Sequence, residues 1–383
     1  MRIRYFGFFE EDGSGFDRKH SLSGLSKMHY ISHCIVNMGW KVKIISLSWM
    51  QAKSKSAICL PIFRTYENDI DLLYFPSIRS SNRLLEKINR VLARVMLFVY
   101  LLAKVKGEEK IIVYHSQTFS TPLWLARKIK KFHLILEVEE IYGLVWENLH
   151  KGLKSELRLF GVCDSFICVS DELRRKLIPY GKDVTTLYGA YETIEDTASN
   201  VELFHPKKLT KLIYAGSIDR LRSAALLAVE ALEFLDETYC LSIIGAGDQK
   251  SLALLRIRIS QINQYKGRVA CEYLGELRGK EYSKFLRSKD IGLNSQIVGE
   301  YMTTAFPSKI ISYLVHGLEV VSSPLSSVVT SKVGAHIEFA DSDAPKDLAE
   351  AIRKVSATRK NAGGAIMTLD IEFRENLRAL LLK

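Results

Sequence analysis

Short runs rich in Ile, Val, Phe and Tyr alternate along the chain with longer stretches whose apolar positions recur at helical spacing. In the first half, IRYFGFF, KVKIISL, DLLYF, KIIVYH, FHLILEV and DSFICVS read as strands, each bounded by polar or glycine punctuation. Helices are predicted over 23–38, 83–104, 121–131 and 171–178. The last follows Ser170, whose side chain can cap free amides, and acidic residues come directly after it. A polar stretch of low periodicity at 192–210, ETIEDTASNVELFHPKKLT, interrupts the pattern and reads as a linker. The same grammar then resumes. KLIYAGS, CLSIIGAG, VACEYLG, DIGLNS and LEVVSS read as strands, with helices over 223–235, 249–264 and near 280–288. Strand then helix, repeated, predicts parallel sheets with helices on both faces. The expected fold is α/β, with two doubly wound domains, 1–195 and 206–365, facing each other across a cleft, and a short helix over 366–383.

Composition fits that picture and narrows the chemistry. With 383 residues, 47% of them hydrophobic and 25% charged, the chain is long enough for two cores and has none of the bias of a disordered protein. Its six cysteines, Cys34, Cys59, Cys163, Cys168, Cys240 and Cys271, lack CxxC spacing and sit mostly in apolar runs. They read as reduced core thiols of an intracellular protein, with neither a disulfide frame nor a zinc site. MRIRYFGFF turns acidic at Glu10 and so reads as a first buried strand rather than a leader. No run of 18 apolar residues suggests a membrane-spanning helix. The net charge of +11 points to anionic partners.

In open α/β sheets, ligands bind at the carboxyl ends of strands, which directs attention to four places in the second half. In YAGSIDRLRS, Gly216 closes a strand and Arg220 and Arg222 follow just before a helix, a pattern suited to a diphosphate. In IIGAGD, Gly245 and Gly247 permit close backbone approach, but Lys250 stands where a dinucleotide fingerprint has its third glycine. In YLGEL, Leu274, Gly275 and Leu277 end a strand whose free amides and carbonyls suit the edge of a base. In FPSKIISYLVHGLEVVSS, Pro307 opens a helix, Ser308 and Lys309 stand at its positive end, and Gly317 closes it. A lysine there is unfavourable to the helix dipole unless an anion is bound.

Together these pieces resemble the nucleotide-sugar-binding domain of GT-B glycosyltransferases, in particular the family 4-like enzymes of bacterial polysaccharide assembly, over about 205–355. The first half resembles that family's acceptor domain more loosely. The resemblance implies that Arg220, Arg222 and Lys309 neutralise the leaving diphosphate, with Gly216, Ser217, Ser308 and Ser312 also at the donor. Many relatives carry two glutamates eight positions apart, the second of which holds the ribose. Thr304 and Ser312 occupy those places here. The resemblance further implies a retaining transfer from a nucleoside-diphosphate sugar, UDP ahead of GDP, to a saccharide or lipid-linked saccharide. Cations and helix amides would stabilise the leaving group, so neither a metal nor a cofactor is expected.

On the acceptor side, the loop DGSGFDRKHSLSG offers Gly15, Asp17, Arg18 and His20. His115 ends the strand KIIVYH, and Glu137, Glu139 and Glu140 follow FHLILEV; His115 and Glu139 are the candidates for contact with reacting groups. The segment 83–106 is basic at both ends with an apolar middle, and with RKIKKFH at 127–133 it suits peripheral contact with an anionic membrane through Lys87, Arg90, Arg94, Lys104 and Lys106. Core packing is the alternative for that helix. A nucleotide-sugar epimerase or hydrolase is the alternative activity. Nucleic acid is disfavoured as a partner, because the basic residues cluster at strand and helix ends rather than forming a stripe interleaved with aromatics.

Overall fold

The computed structural model describes residues 1–11, 13–145, 147–192, 209–219, 223–299, 303–357 and 362–383. They group into two compact units, Met1–Ala190 with Glu372–Lys383, and Tyr191–Ile371.

The first unit is built on an eight-stranded sheet in the order Asp183–Thr186, Ser165–Cys168, His133–Val138, Lys110–Tyr114, Arg2–Gly7, Lys41–Ser46, Ile70–Tyr74, Ile62–Glu67. Neighbours are parallel except the last pair, which is antiparallel. The chain thus winds outward from a central first strand to one side and then to the other. The direction reverses between Arg2–Gly7 and Lys110–Tyr114. Six of the strands were expected; Ile62–Glu67 and Asp183–Thr186 were not, because IFRTYE and DVTT carry polar residues on half-exposed edges of the sheet.

Helix starts follow local chemistry. Ser21, Asn82, Ser116 and Ser170 each accept a bond from a backbone N–H in the first turn of Leu22–Asn37, Arg83–Lys104, Gln117–Ile129 and Asp171–Leu177. The third of these starts four residues before its predicted place and contains Pro122. Proline cannot donate to the carbonyl of Thr118, and the Arg94 Nε fills that gap at 2.9 Å. In Arg83–Lys104 only Asn89, Ala93, Leu97 and Leu101 are buried. Leu84, Ile88, Val91, Val95 and Val99 form a second apolar stripe that is 42–66% exposed. No helix among the described residues is long and apolar enough to cross a membrane. The closing helix, Gly363–Leu382, is longer than predicted. Within the first unit, Phe373 meets the Tyr30 ring at 5.7 Å and the Leu381 carbonyl accepts from Lys110.

The second unit holds a six-stranded parallel sheet in the order Cys271–Tyr273, Tyr239–Ile244, Thr210–Ala215, Ile291–Asn294, Glu319–Ser322, Glu338–Phe339. Here the winding reverses between Thr210–Ala215 and Ile291–Asn294. These two strands pair only at Leu212 with Ile291 and Ile213 with Gly292, then part. Tyr313, from the helix Lys309–Val315, fills the gap. Its hydroxyl accepts from the Ala215 N–H at 2.8 Å and stands 3.4 Å from the Leu293 carbonyl. Its ring lies so close to Gly292 that an added Cβ would come within 2.3 Å of it. Burial pushes the Tyr313 hydroxyl well above its ordinary pKa, so it stays protonated.

Tyr313→Phe would leave the buried Ala215 N–H without this partner, at a cost of about 1–3 kcal/mol. Gly292→Ala would overpack the same spot at about 1–3 kcal/mol. The tryptophans among the described residues, Trp40, Trp49 and Trp124, all lie in the first unit. Urea unfolding of both variants should therefore shift the circular-dichroism transition of the second unit while leaving the tryptophan-fluorescence transition in place.

Candidate functional site

At the carboxyl end of the second sheet, three glycine loops are laced together by their backbones. Gly216 N donates to the Ile244 carbonyl at 3.0 Å, Gly245 N to the Gly275 carbonyl at 2.7 Å, and Ile218 N to the Ala246 carbonyl at 2.8 Å. Gly245 sits at φ +140°, and a Cβ there would come within 1.9 Å of the Gly216 carbonyl oxygen, so only glycine lets the loops meet. A Cβ on Gly247 would similarly approach the Ile218 carbonyl at 2.3 Å. The Tyr273 hydroxyl donates to the Gly245 carbonyl at 2.8 Å, which ties the end of the third strand into the same lattice.

Lys309 reaches this lattice from its helix. Its Nζ lies 4.0 Å from the centre of the Tyr214 ring, a cation–π contact, and a Cβ on Gly216 would stand 3.2 Å from it. Tyr214 in turn donates to the carbonyl of the exposed Ser217 at 2.9 Å. The structure therefore brings Gly216, Ser217, Gly245, Gly247, Gly275 and Lys309 together. Arg220 and Arg222 lie outside the described residues. Ser308 adopts helical geometry and makes no side-chain capping bond. Ser312, on the same helix, is 3.1 Å from the Tyr282 hydroxyl, while its carbonyl lies 2.7 Å from His316 Nδ1. A serine here meets a half-buried tyrosine, a contact that occupies the hydroxyl at the position where a longer glutamate was looked for. Leu274 and Gly275 line an open cavity of about 450 Å³ with Arg256, Ile259 and Tyr273, and Leu277 lies half-buried just beyond.

One group of polar residues beside this lattice was missed from the sequence. Directly after Ile291–Asn294, at the point where the winding reverses, Gln296 Nε2 donates to Asn294 Oδ1 at 2.9 Å and Asn294 Nδ2 to Ser322 Oγ at 2.8 Å. Gln296 Oε1 is buried with no hydrogen-bond partner among the described residues. The signal was the run Asn294, Ser295, Gln296 at a strand end, three hydrogen-bonding side chains in the place where ligands sit.

In the first unit the strand ends carry side-chain chemistry rather than glycine loops. Lys27 is 1% exposed, and its Nζ donates to both oxygens of Glu139 at 2.7 and 2.8 Å. Glu137, also buried, accepts from the Tyr5 hydroxyl. Burial, reinforced by the neighbouring Glu139 charge, pushes the Glu137 carboxyl up to about 8. Lys27 had a sequence signal: it falls with Gly24, Met28 and Ile31 on the inward face of its helix.

Several sequence expectations for this unit are corrected by burial. His115 is fully buried between the Tyr142 and Phe160 rings, with Nε2 3.3 Å from Glu156 Oε1. Burial lowers its imidazole to about 3, so it is neutral at physiological pH and faces the interior rather than a reactant. Glu156 is itself buried and accepts from the amides of Tyr142 and Gly143 and from Gln117. Arg18 is fully buried as well. Its guanidinium donates to the Phe75 carbonyl and lies 4.9 Å from the Tyr74 ring centre, so it braces the loop and is not available to an acceptor. His20 Nδ1 lies 2.9 Å from the Arg18 carbonyl and 3.3 Å from Glu10, whose carboxylate also takes Ser14 Oγ and the Arg18 amide. Gly15 is exposed at φ +78°; Asp17, at φ +47°, has Oδ2 buried without a hydrogen-bond partner among the described residues.

No protein-family model and no curated protein sequence matches the chain. Solved structures do match. Trehalose-6-phosphate synthase of E. coli bound with UDP-2-fluoro glucose is 10% identical, with a TM-score of 0.71 over 100% of this chain and 98% of that one. An α,α-trehalose-phosphate synthase (UDP-forming) from Burkholderia xenovorans in complex with glucose-6-phosphate is 10% identical, with a TM-score of 0.69 over 99% and 98%. Sucrose-phosphate synthase from Thermosynechococcus elongatus is 15% identical, with a TM-score of 0.64 over 99% and 94%. At such identities the likeness establishes the fold, which is that of GT-B glycosyltransferases with two Rossmann-like domains.

The buried Glu137 makes stability depend on pH. Its unfolded carboxyl ionises near 4.5 and its folded one near 8, so between these values the folded state binds more protons and stability falls as pH rises. Glu137→Gln keeps an acceptor for Tyr5 and removes this titration. Tryptophan-monitored urea unfolding at pH 5 and pH 8 should show the variant losing less stability than wild type across that interval, by up to about 1.4 kcal/mol per pH unit.

Proposed function

We propose that the chain is a GT-B glycosyltransferase that moves a sugar from a nucleoside-diphosphate sugar to a saccharide or lipid-linked saccharide in cell-surface polysaccharide assembly. One observation carries this reading: Gly216, Gly245 and Gly275 draw three loop backbones together at one end of a parallel sheet, and Lys309 is delivered to the same place. Loops without side chains let phosphate oxygens come close to the chain, and a lysine supplies the countercharge.

The transfer breaks the bond between the anomeric carbon and a diphosphate oxygen. Negative charge then grows on the leaving diphosphate while an acceptor hydroxyl oxygen bonds to the carbon and releases its proton. A cation already in position favours that charge separation without rearranging at the moment of reaction. In our reading Lys309 acts with Arg220 and Arg222 on the diphosphate, and Leu274 and Gly275 meet the base. The anomeric configuration is retained and no metal takes part in the transfer. UDP is the first choice of donor nucleotide, in keeping with the UDP-sugar bound by the E. coli neighbour. The B. xenovorans neighbour holds glucose-6-phosphate. A lipid-linked saccharide is preferred here as acceptor because of the stripe Leu84, Ile88, Val91, Val95 and Val99, which lies exposed beside Lys87, Arg90 and Arg94. Spanning about 22 Å of helix, it suits the surface of an anionic membrane.

Calorimetric titration with UDP, GDP and ADP should find UDP the tightest, and Lys309→Ala should weaken it by about 10- to 150-fold, the loss of one charge-assisted contact. Absence of binding by every diphosphate, or an unchanged affinity in the variant, overturns the donor site. Separately, co-sedimentation with vesicles containing phosphatidylglycerol should retain the wild-type chain. The exposed substitutions Val91→Asp and Val95→Asp together should release it into the supernatant.

A further inference from the structure

The helix Leu22–Asn37 has a second polar feature, away from Lys27. His29 and His33 are four residues apart and so project from one side of the helix, where they meet a single carboxylate. His33 Nε2 is 2.7 Å from Glu67 Oε2, and His29 Nε2 is 3.2 Å from Glu67 Oε1. The two imidazole rings are 4.1 Å apart between centres, tilted by 52°. One ligand atom from each of the three residues falls within 4.8 Å of the others.

Glu67 ends the edge strand Ile62–Glu67, and the pairing of that strand with Ile70–Tyr74 slips between Thr65 and Glu67. Such an irregularity re-aims a side chain. Here the re-aimed group is the one that meets both histidines. All three side chains are partly accessible, at 28%, 34% and 38%, so a hydrated ion can reach them.

We propose that His29, His33 and Glu67 form a binding site for one transition-metal cation of the Zn²⁺ class. Two imidazole nitrogens and one carboxylate oxygen are a donor set that zinc takes with a fourth position left to water. Hard cations such as Mg²⁺ prefer all-oxygen sites. Neighbouring ligand atoms around tetrahedral zinc are about 3.3 Å apart, given bonds near 2.0–2.1 Å, so separations within 4.8 Å need adjustment of at most about 1.5 Å. The ion would take the lone pair of each Nε2 that faces Glu67, so any proton on those nitrogens leaves on binding. It would also fasten the helix to an exposed sheet edge, a place where unpaired backbone groups invite misassociation. This departs from the sequence expectation of no zinc site, which rested on cysteine spacing alone.

The test is calorimetric titration of the untagged, EDTA-treated full chain with ZnCl₂, alongside visible absorption after titration with Co²⁺. The expected result is one equivalent of zinc per chain and a Co²⁺ spectrum of nitrogen–oxygen ligation. The pair His29→Ala and His33→Ala should lower zinc affinity more than about 100-fold, beyond what loss of an outer-shell partner costs. Should that pair fail to fold by circular dichroism, His33→Gln alone is read by the same two signals, with loss of the Co²⁺ spectrum expected. No zinc bound by the wild-type chain, or an unaltered affinity and spectrum in the substituted chain, overturns the site.

Discussion

The second unit depends on how the parting of two parallel strands is managed. Thr210–Ala215 and Ile291–Asn294 cannot stay paired to their ends if the chain is to wind both ways from them, and parting leaves a backbone N–H exposed inside the protein. An unpaired buried amide costs about 1–3 kcal/mol. Tyr313 answers this with a hydroxyl on Ala215, and it fits only because position 292 is glycine. The same residue thereby fixes the helix Lys309–Val315 against the sheet. Lys309 owes its position over Tyr214 to that anchoring, so one buried hydrogen bond links the topology of the sheet to the charge at its mouth.

The two units solve the problem of strand ends differently. In the second, the loops after three strands are close enough for a Cβ on Gly245 to collide with the Gly216 carbonyl, and polar function comes from the backbone and one lysine. In the first, the strand ends carry Glu137, Glu139, His115 and, packed against them, Lys27 and Glu156. Charges taken out of water demand partners. Lys27 has Glu139, Glu156 has two backbone amides and Gln117, and Glu137 relies on protonation and Tyr5. Such a set is rigid as long as every member is present.

That difference decides what could be read from the sequence. Glycine loops announce themselves locally: YAGS, IIGAG and YLG mark the turn and the strand end in the same few letters, and the structure brings all three together. The strand–helix alternation was legible for the same reason, since burial on both sheet faces writes continuous apolar runs. What was not legible depends on partners far along the chain. Lys27 and Glu139 are 112 positions apart, and Arg18 meets the Phe75 carbonyl across 57. Read alone, a histidine or an arginine at a strand end looks like chemistry; only the packing around His115 and Arg18 reveals them as internal supports. The edge strand Ile62–Glu67 escaped notice because an edge needs few apolar residues.

The helix Arg83–Lys104 shows how far the argument from pattern goes. An amphipathic helix with one apolar face is explained completely by its own core, and here Ala93, Leu97 and Leu101 supply that face. A second apolar stripe is unfavourable to a chain that leaves it in water, since each exposed valine or leucine forgoes about 1.5–3 kcal/mol of burial. Scattered exposed apolar residues are ordinary, but five in helical register with basic residues alongside are not. Their spacing is a property of the sequence, whereas their exposure is a property of the fold. Only the two together distinguish a helix that merely packs from one that also presents a surface to a partner.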